Sequence, residues 1–193
     1  MPREQMSYFI IKRFIDFLMA IILIILLSPV LILELIIVKF LLKESPIYIQ
    51  KRLTKHRDEF NLIKIKTMRS GSNEIFSNPF IRCLRKSGLD ELPQLFNVIK
   101  GDMSLIGPRP LPVSYSNLIK QEHQLRFKVL PGITGLSQVS RAEVMSWNER
   151  FEMDNLYVTN QSFSEDIKIL IETIKLIFSG GKRERMDVLT TDY

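Results

Sequence analysis

Asp90 and Glu91 stand side by side in the stretch SGLDELPQLFNVIKGDMSLIGPRPL, residues 87–111, and Arg109 lies near its end. A carboxylate can serve as a nucleophile on phosphorus and form an acyl phosphate. A neighbouring carboxylate suits magnesium, which takes one or two carboxylates together with substrate phosphates. Arginine offers a planar fork that holds phosphate by two parallel hydrogen bonds. Phosphoryl transfer needs these parts: a nucleophile, charge neutralisation around phosphorus, and near in-line geometry. Arg85 and Lys64 are further cations that could neutralise a diphosphate. The plainer alternative is a solvated acidic helix start followed by a rigid turn.

The surrounding residues say how these groups are carried. Leu92, Leu95, Phe96 and Ile99 recur at helical spacing, and Lys100-Gly101 closes the run. Ser87 is the expected N-cap, with Asp90 three residues on, so both acids fall in the first turn beside unbonded N–H groups. Pro93 is tolerated there because its missing N–H had no helical partner. Neighbouring helix positions project about 100° apart, so the two acids need not share a task. Gly107 and Arg109 each precede a proline and are pushed towards extended backbone.

Upstream, Phe80 to Lys86 is a short helix that delivers Arg85. Ile47 to Gln50 and Phe60 to Met68 read as strands, the second with Ile63 and Ile65 on one face and Lys64 and Lys66 on the other. Between them, KRLTKHR is either a solvated loop or a contact for anionic headgroups. Ser70 to Pro79 reads as a loop. Downstream, Tyr115 to Val129 reads as a helix, and Pro131, Gly132 and Gly135 mark a loop followed by Arg141. Trp147, Phe151, Met153 and Leu156 are expected in the core. Ser162 to Glu165 is a capping box opening a helix with Phe163, Ile167, Leu170, Ile171, Ile174, Ile177 and Phe178 on one stripe, stopped by Gly180-Gly181. That stripe is core, or in a protein seated on a membrane it lies in the interface. A charged tail runs from Lys182.

The N-terminal segment sets the location. Ile10 to Leu42 is overwhelmingly apolar, and residues 17–33 carry no charge. As one helix this run of roughly 33 residues is about 50 Å long, too long for a hydrocarbon core of about 30 Å without strong tilt. Ser28-Pro29 lies close to its midpoint, where proline removes a backbone hydrogen bond. Lys and Arg flank both ends, and positive flanks stay cytoplasmic. A helix bent at Ser28-Pro29 that enters and leaves by the same face satisfies all of this, with Glu34 on the limb climbing back to the headgroups. The alternative is an ordinary spanning helix with a kink.

The formal net charge of +6 suits anionic partners. Nucleic acid is set aside because no helix-turn-helix, zinc or RNP-type motif is present. Cys83 is alone, which leaves no disulfide framework, and His56 and His123 read as surface residues.

LDELPQLFNVIKGDMSLIGPRP resembles the signature of the bacterial sugar transferases, the monotopic polyprenyl-phosphate phosphoglycosyl transferases, in the small form without extra transmembrane helices. The likeness extends to SPVLIL near the N-terminus, KIKTM at 64–68, PGITGLSQV at 131–139 and YVTNQSFSEDIKI at 157–169. The segment between KIKTM and the acids is shorter than the family pattern and lacks its Asp-x-Arg-x-Thr stretch.

The resemblance implies an α+β protein: a re-entrant membrane helix over 1–43, broken at Ser28-Pro29, and a mostly helical cytosolic catalytic domain over 44–193. That domain has a small β element and interfacial amphipathic helices. It implies that Asp90 attacks a UDP-sugar, releases UMP and passes the phosphosugar to polyprenyl (undecaprenyl) phosphate. Glu91 would help bind Mg2+, and Lys64 would belong to the active site beside Arg85 and Arg109. The location implied is the cytoplasmic face of the bacterial inner membrane, in the first membrane step of a surface glycan. The competing expectation is a catalytically inactive membrane-anchored interaction protein of the same fold.

Overall fold

The computed structural model describes residues 3–69, 78–140 and 145–179. The expected loop at 70–77, Arg141, the Gly180-Gly181 stop and the tail from Lys182 lie outside the described residues.

The chain begins with α1 (Arg3–Leu42), followed by an antiparallel hairpin of β1 (Ile47–Leu53) and β2 (Glu59–Ile65). Next come α2 (Pro79–Ser87) and α3 (Gln94–Lys100). β3 (Ser104–Ile106) then pairs in parallel with β4 (Gly132–Thr134). Short α4 (Leu136–Val139), α5 (Trp147–Thr159) and α6 (Phe163–Phe178) complete the described fold. The expected mixture of helices and small β elements with a long apolar N-terminal helix is what the structure shows.

The helix runs through Pro29 without interruption. Proline lacks the N–H that would bond the carbonyl of Ile25. Ser28 Oγ donates to that carbonyl instead, at 2.9 Å. The Ser-Pro pair thus supplies its own replacement donor, and the expected break is not a gap in helical backbone.

Both limbs of α1 pack on the rest of the chain. On the N-terminal limb, Ala20 joins Phe60, Leu62, Leu95, Val98 and Met103 in one core. On the C-terminal limb, Val38 and Leu42 join Ile65, Ile81 and Leu84 in another. Polar ties reinforce the first limb. Lys12 pairs with Asp166 at 2.7 Å, and Ser104 Oγ donates to Asp16 at 2.6 Å. Arg13 donates to the carbonyls of Val98 (2.7 Å) and Ile99 (3.1 Å) at the end of α3, where unbonded carbonyls favour a cation. The opposite side of α1 remains apolar and exposed, with Ile10, Phe14, Ile25, Leu26, Ile32 and Phe40 among its side chains.

Several expectations change. The helix expected to open at Ser87 does not: Ser87 is the last residue of α2, its hydroxyl donating to the carbonyls of Cys83 and Leu84, and a 3-10 turn, Leu89–Glu91, precedes α3. Glu34 is buried by protein, 3% exposed, on the leucine-rich limb that faces α2 and β2. Tyr115 to Val129 is not an α-helix but two 3-10 segments, Val113–Leu118 and Gln121–Lys128. His123 is buried there against Asn148 Oδ1 at 2.9 Å, not on the surface. Leu156 is exposed, and Asp154 and Tyr157 take the buried face of α5 instead. The full capping box belongs to Ser146 and Glu149, whereas Ser162 caps α6 by accepting from Glu165 N–H.

On α6 the apolar stripe is exposed, and Asp166 and Ile169 face inward. The cause is polar: Asp166 accepts from Tyr8, Lys12 and Tyr157, so its side of the helix is drawn into the fold. The stripe is left on the outside.

Candidate active site

The two acids reach their place through Gly88, whose φ of 77° ends α2 in the left-handed region that glycine enters without a Cβ penalty. The chain then makes a 3-10 turn, Leu89–Glu91, closed by Glu91 N–H on the carbonyl of Gly88 at 3.1 Å. Asp90 and Glu91 are each 7% exposed, which removes the reading of a solvated terminus. Pro93 stands at the start of α3, where the absence of its N–H is harmless. Asn97 fixes α3 to β2. Its amide donates to Asn61 O at 2.8 Å and accepts from Ile63 N–H at 3.1 Å.

Lys64 comes from β2, directly opposite Tyr48 on β1, with its ammonium 5.2 Å from the ring centre. Burial pushes its pKa down, the Asp90 carboxylate pulls it back up, and the Arg52 charge lowers it further. Glu91 and Arg109 also act on it, so Lys64, Asp90, Glu91 and Arg109 form one cluster. Arg85 does not join by contact; its guanidinium donates to Thr67 Oγ1 at 3.2 Å.

Arg109 is delivered by the Gly-Pro-Arg-Pro loop, which is clamped against the loop at 131–135. Gly107 N–H donates to Thr134 O and Gly132 N–H to Pro108 O, both at 2.9 Å. A Cβ on Gly132 would stand 2.1 Å from Gly107 N, so this approach requires glycine. Arg109 Nη2 then donates to Glu91 Oε1 at 3.1 Å. Its own carbonyl accepts from Arg126 Nη2. Arg126 is buried, paired with Asp154 at 3.1 Å and stacked 4.9 Å from the Phe151 ring centre. Burial raises the Asp154 pKa and the Arg126 charge opposes that rise.

Arg52 is the site residue that sequence reasoning missed, having counted it among the basic residues of KRLTKHR. It donates to Pro110 O at 3.2 Å and Gln50 Oε1 at 2.7 Å, while its buried Nε–H has no hydrogen-bond acceptor. Burial, and then the neighbouring Arg109 charge, pushes its pKa down to about 10. A signal was present. Tyr48, Gln50 and Arg52 alternate along β1, so a strand continued through Arg52 puts it on the face of Lys64.

Lys64 and Arg52, largely buried cations whose pKa the Arg109 charge lowers further, call for an anion, and the chemistry of the set fits a diphosphate. Among the described residues no three or more His, Cys, Asp or Glu side chains converge as a cage. Glu91 beside a phosphate-binding face does fit magnesium, which completes its shell with substrate phosphates and water. A carboxylate has lone pairs enough for a guanidinium and a cation together.

The family pattern of the bacterial sugar transferases matches residues 7–180. The chain belongs to the bacterial sugar transferase family. Among its relatives is the uncharacterized sugar transferase EpsL of Bacillus subtilis (strain 168), 37% identical over 89% of this chain and 90% of EpsL. Another is the UDP-N-acetylgalactosamine-undecaprenyl-phosphate N-acetylgalactosaminephosphotransferase of Aeromonas hydrophila, 34% identical over 90% of this chain and 45% of that protein. The UDP-glucose:undecaprenyl-phosphate glucose-1-phosphate transferase of Klebsiella pneumoniae is 35% identical over 86% of this chain and 39% of its own. This transferase chain thus spans nearly all of EpsL and less than half of the other two.

Proposed function

We propose that the protein transfers a sugar phosphate from a UDP-sugar to polyprenyl phosphate at a membrane surface. The observation that carries the reading is the pair of buried carboxylates, Asp90 and Glu91, set in one turn against Lys64, Arg52 and Arg109. The names of the Aeromonas and Klebsiella relatives support the same donor and acceptor classes.

In the first step an Asp90 carboxylate oxygen bonds to the β-phosphorus as the bond from that phosphorus to the bridging oxygen breaks, and UMP leaves with that oxygen. In the second, an oxygen of polyprenyl phosphate bonds to the same phosphorus as the Asp90 oxygen departs. Arg109 and Arg52 hold the diphosphate, and Lys64 neutralises charge beside the nucleophile. Glu91 would hold magnesium, which when bound neutralises phosphate charge. The family resemblance, not position, chooses Asp90 over Glu91 as nucleophile.

The membrane reading is that α1 enters and leaves by the cytoplasmic face. Its support is that one face of both limbs packs on the same domain while the other face stays apolar and exposed, a pattern that suits a helix seated in one leaflet better than one crossing about 30 Å of hydrocarbon. The exposed apolar stripe of α6 then lies in the interface, joined to α1 where Tyr8 meets Phe163 edge-on.

Intact-protein mass spectrometry tests the chemistry. With UDP-sugar and no lipid acceptor, the wild type should gain a phosphosugar mass on the peptide containing Asp90. Asp90→Asn should gain none and turn over nothing, while Glu91→Gln should show weakened magnesium dependence. Wild-type turnover without any adduct, with UMP release requiring both substrates together, would replace this route by direct displacement.

A further inference from the structure

Glu34 is a carboxyl that the reaction above does not use, and the fold gives it an unusual setting. It lies on α1 yet is 3% exposed, and its Oε2 is enclosed with no hydrogen-bond partner. Buried polar atoms are nearly always bonded, so one that is not asks for a reason. The surrounding packing offers none. Leu31, Leu35 and Val38 on the same limb pack with Ile65 of β2 and Ile81 and Leu84 of α2.

The charged groups on those elements are directed elsewhere. Lys64 lies over Tyr48, Lys66 pairs with Glu44, Arg85 donates to Thr67, and Arg82 and Lys86 of α2 are exposed. Asp90, from the turn at Leu89–Glu91, is the charged side chain among the described residues that acts on Glu34.

Asp90 therefore has two unlike sides. Towards the hairpin and the Gly-Pro-Arg-Pro loop it meets Lys64, with Arg52 and Arg109 behind. Towards α1 it meets a carboxyl that has no cation. A nucleotide sugar, carrying two negative phosphates, belongs on the first side. A lipid-linked phosphate comes from the membrane, and α1 is the element whose outer face is apolar. A phosphate coming from that face would approach Asp90 past α1, on which Glu34 lies.

A phosphate monoester has a second pKa near 6, so at neutral pH part of it still carries a proton that must leave when its oxygen attacks. Burial, and then the Asp90 charge, pushes the Glu34 pKa up to about 7, close to the range in which a proton acceptor works best.

Resting on the transfer reaction above, we propose that Glu34 accepts the proton of the lipid-linked acceptor phosphate during the second step. The acceptor O–H bond breaks and its proton moves to the Glu34 carboxylate. The same oxygen forms the new bond to phosphorus, the bond from phosphorus to the Asp90 oxygen breaks, and Asp90 returns as a carboxylate. Glu34 later releases the proton to water.

The two half-reactions separate this from a structural role. Adduct formation is measured by UMP release from UDP-sugar alone, and discharge by adding polyprenyl phosphate in detergent to the preformed adduct, between pH 5.5 and 8.5. Glu34→Gln should form the adduct within about 2-fold of the wild-type rate and discharge about 10²-fold more slowly at pH 6.5. Wild-type discharge should peak between pH 6 and 7. Discharge by Glu34→Gln should instead rise with pH and approach the wild type at alkaline pH, where the acceptor has already lost its proton. Glu34→Asp should keep the wild-type profile at reduced rate.

Equal slowing of both half-reactions in Glu34→Gln and Glu34→Asp, with the profile unchanged, overturns the proposal, as does normal discharge by Glu34→Gln. Should the wild type form no adduct, it is the two-step transfer reading itself that fails.

Discussion

Replacing Asp154 by Asn tests whether the buried Arg126–Asp154 pair holds Arg109 in place. The two side chains are 4% and 3% exposed, so the substitution leaves a guanidinium out of water without its counter-charge. Asn can still accept from Ser137, as Asp154 does at 2.8 Å, but turns an N–H towards Arg126. Breaking one half of such a pair costs about 3–5 kcal/mol, a large share of the roughly 5–15 kcal/mol that keeps a domain folded. At about 2–4 °C per kcal/mol for a domain of this size, the melting temperature in detergent should fall by roughly 6–20 °C.

The double variant Arg126→Met/Asp154→Leu separates stability from position. Apolar side chains of similar volume restore stability to between wild type and ~4 kcal/mol above it. The Arg109 carbonyl still loses its donor, and a displacement of about 1 Å at a reacting group costs about 10²-fold in rate. A stable, slow double variant is therefore expected, read by denaturation and by UMP release. Wild-type turnover in that variant would refute the positioning argument, and an unchanged melting temperature for Asp154→Asn would refute the electrostatic one.

Arg109→Ala should lower turnover about 10²- to 10³-fold, and Arg109→Lys should not restore it, since an ammonium cannot bond Glu91 and a phosphate as a planar fork does. Because burial lowers the Lys64 pKa, its charge is lost at lower pH than that of a solvated lysine. UMP release should therefore fall as pH rises through that lowered value, and Lys64→Arg should move the fall to higher pH; an unmoved profile excludes Lys64 as the titrating group. Cysteines placed at Gln5 and Ile47 should label from the same side of sealed vesicles. Opposite sidedness would establish a spanning helix. Ser28→Ala should weaken the helix at Pro29 by removing the donor to Ile25 O, visible as faster amide exchange there.

The chemistry was legible in the sequence where it rested on local pattern. Helical spacing found α3 and α6, alternation found β2 with Lys64, and the proline-flanked Arg109 was correctly read as coming from a stiff loop. What failed depended on distant partners. Ser87 looked like a cap because nothing local shows that Gly88 has already turned the chain. The burial of Glu34 went unseen because it comes from residues far along the sequence. The α6 stripe had the periodicity of a core face, and only the three donors converging on Asp166 decided which side turned inward. Arg52 was hidden by its basic neighbours, whose charge drew attention from the alternation of the strand.

Lys12 and Asp166 are separated by 154 positions, and this bears on how the protein is made. The apolar helix leaves the ribosome long before the carboxylate that neutralises its buried lysine. During that interval Lys12, Arg13 and Asp16 lack the partners that later cover them. Closure of the domain on this helix must therefore wait for Asp166, so the two ends of the fold lock together in one late step.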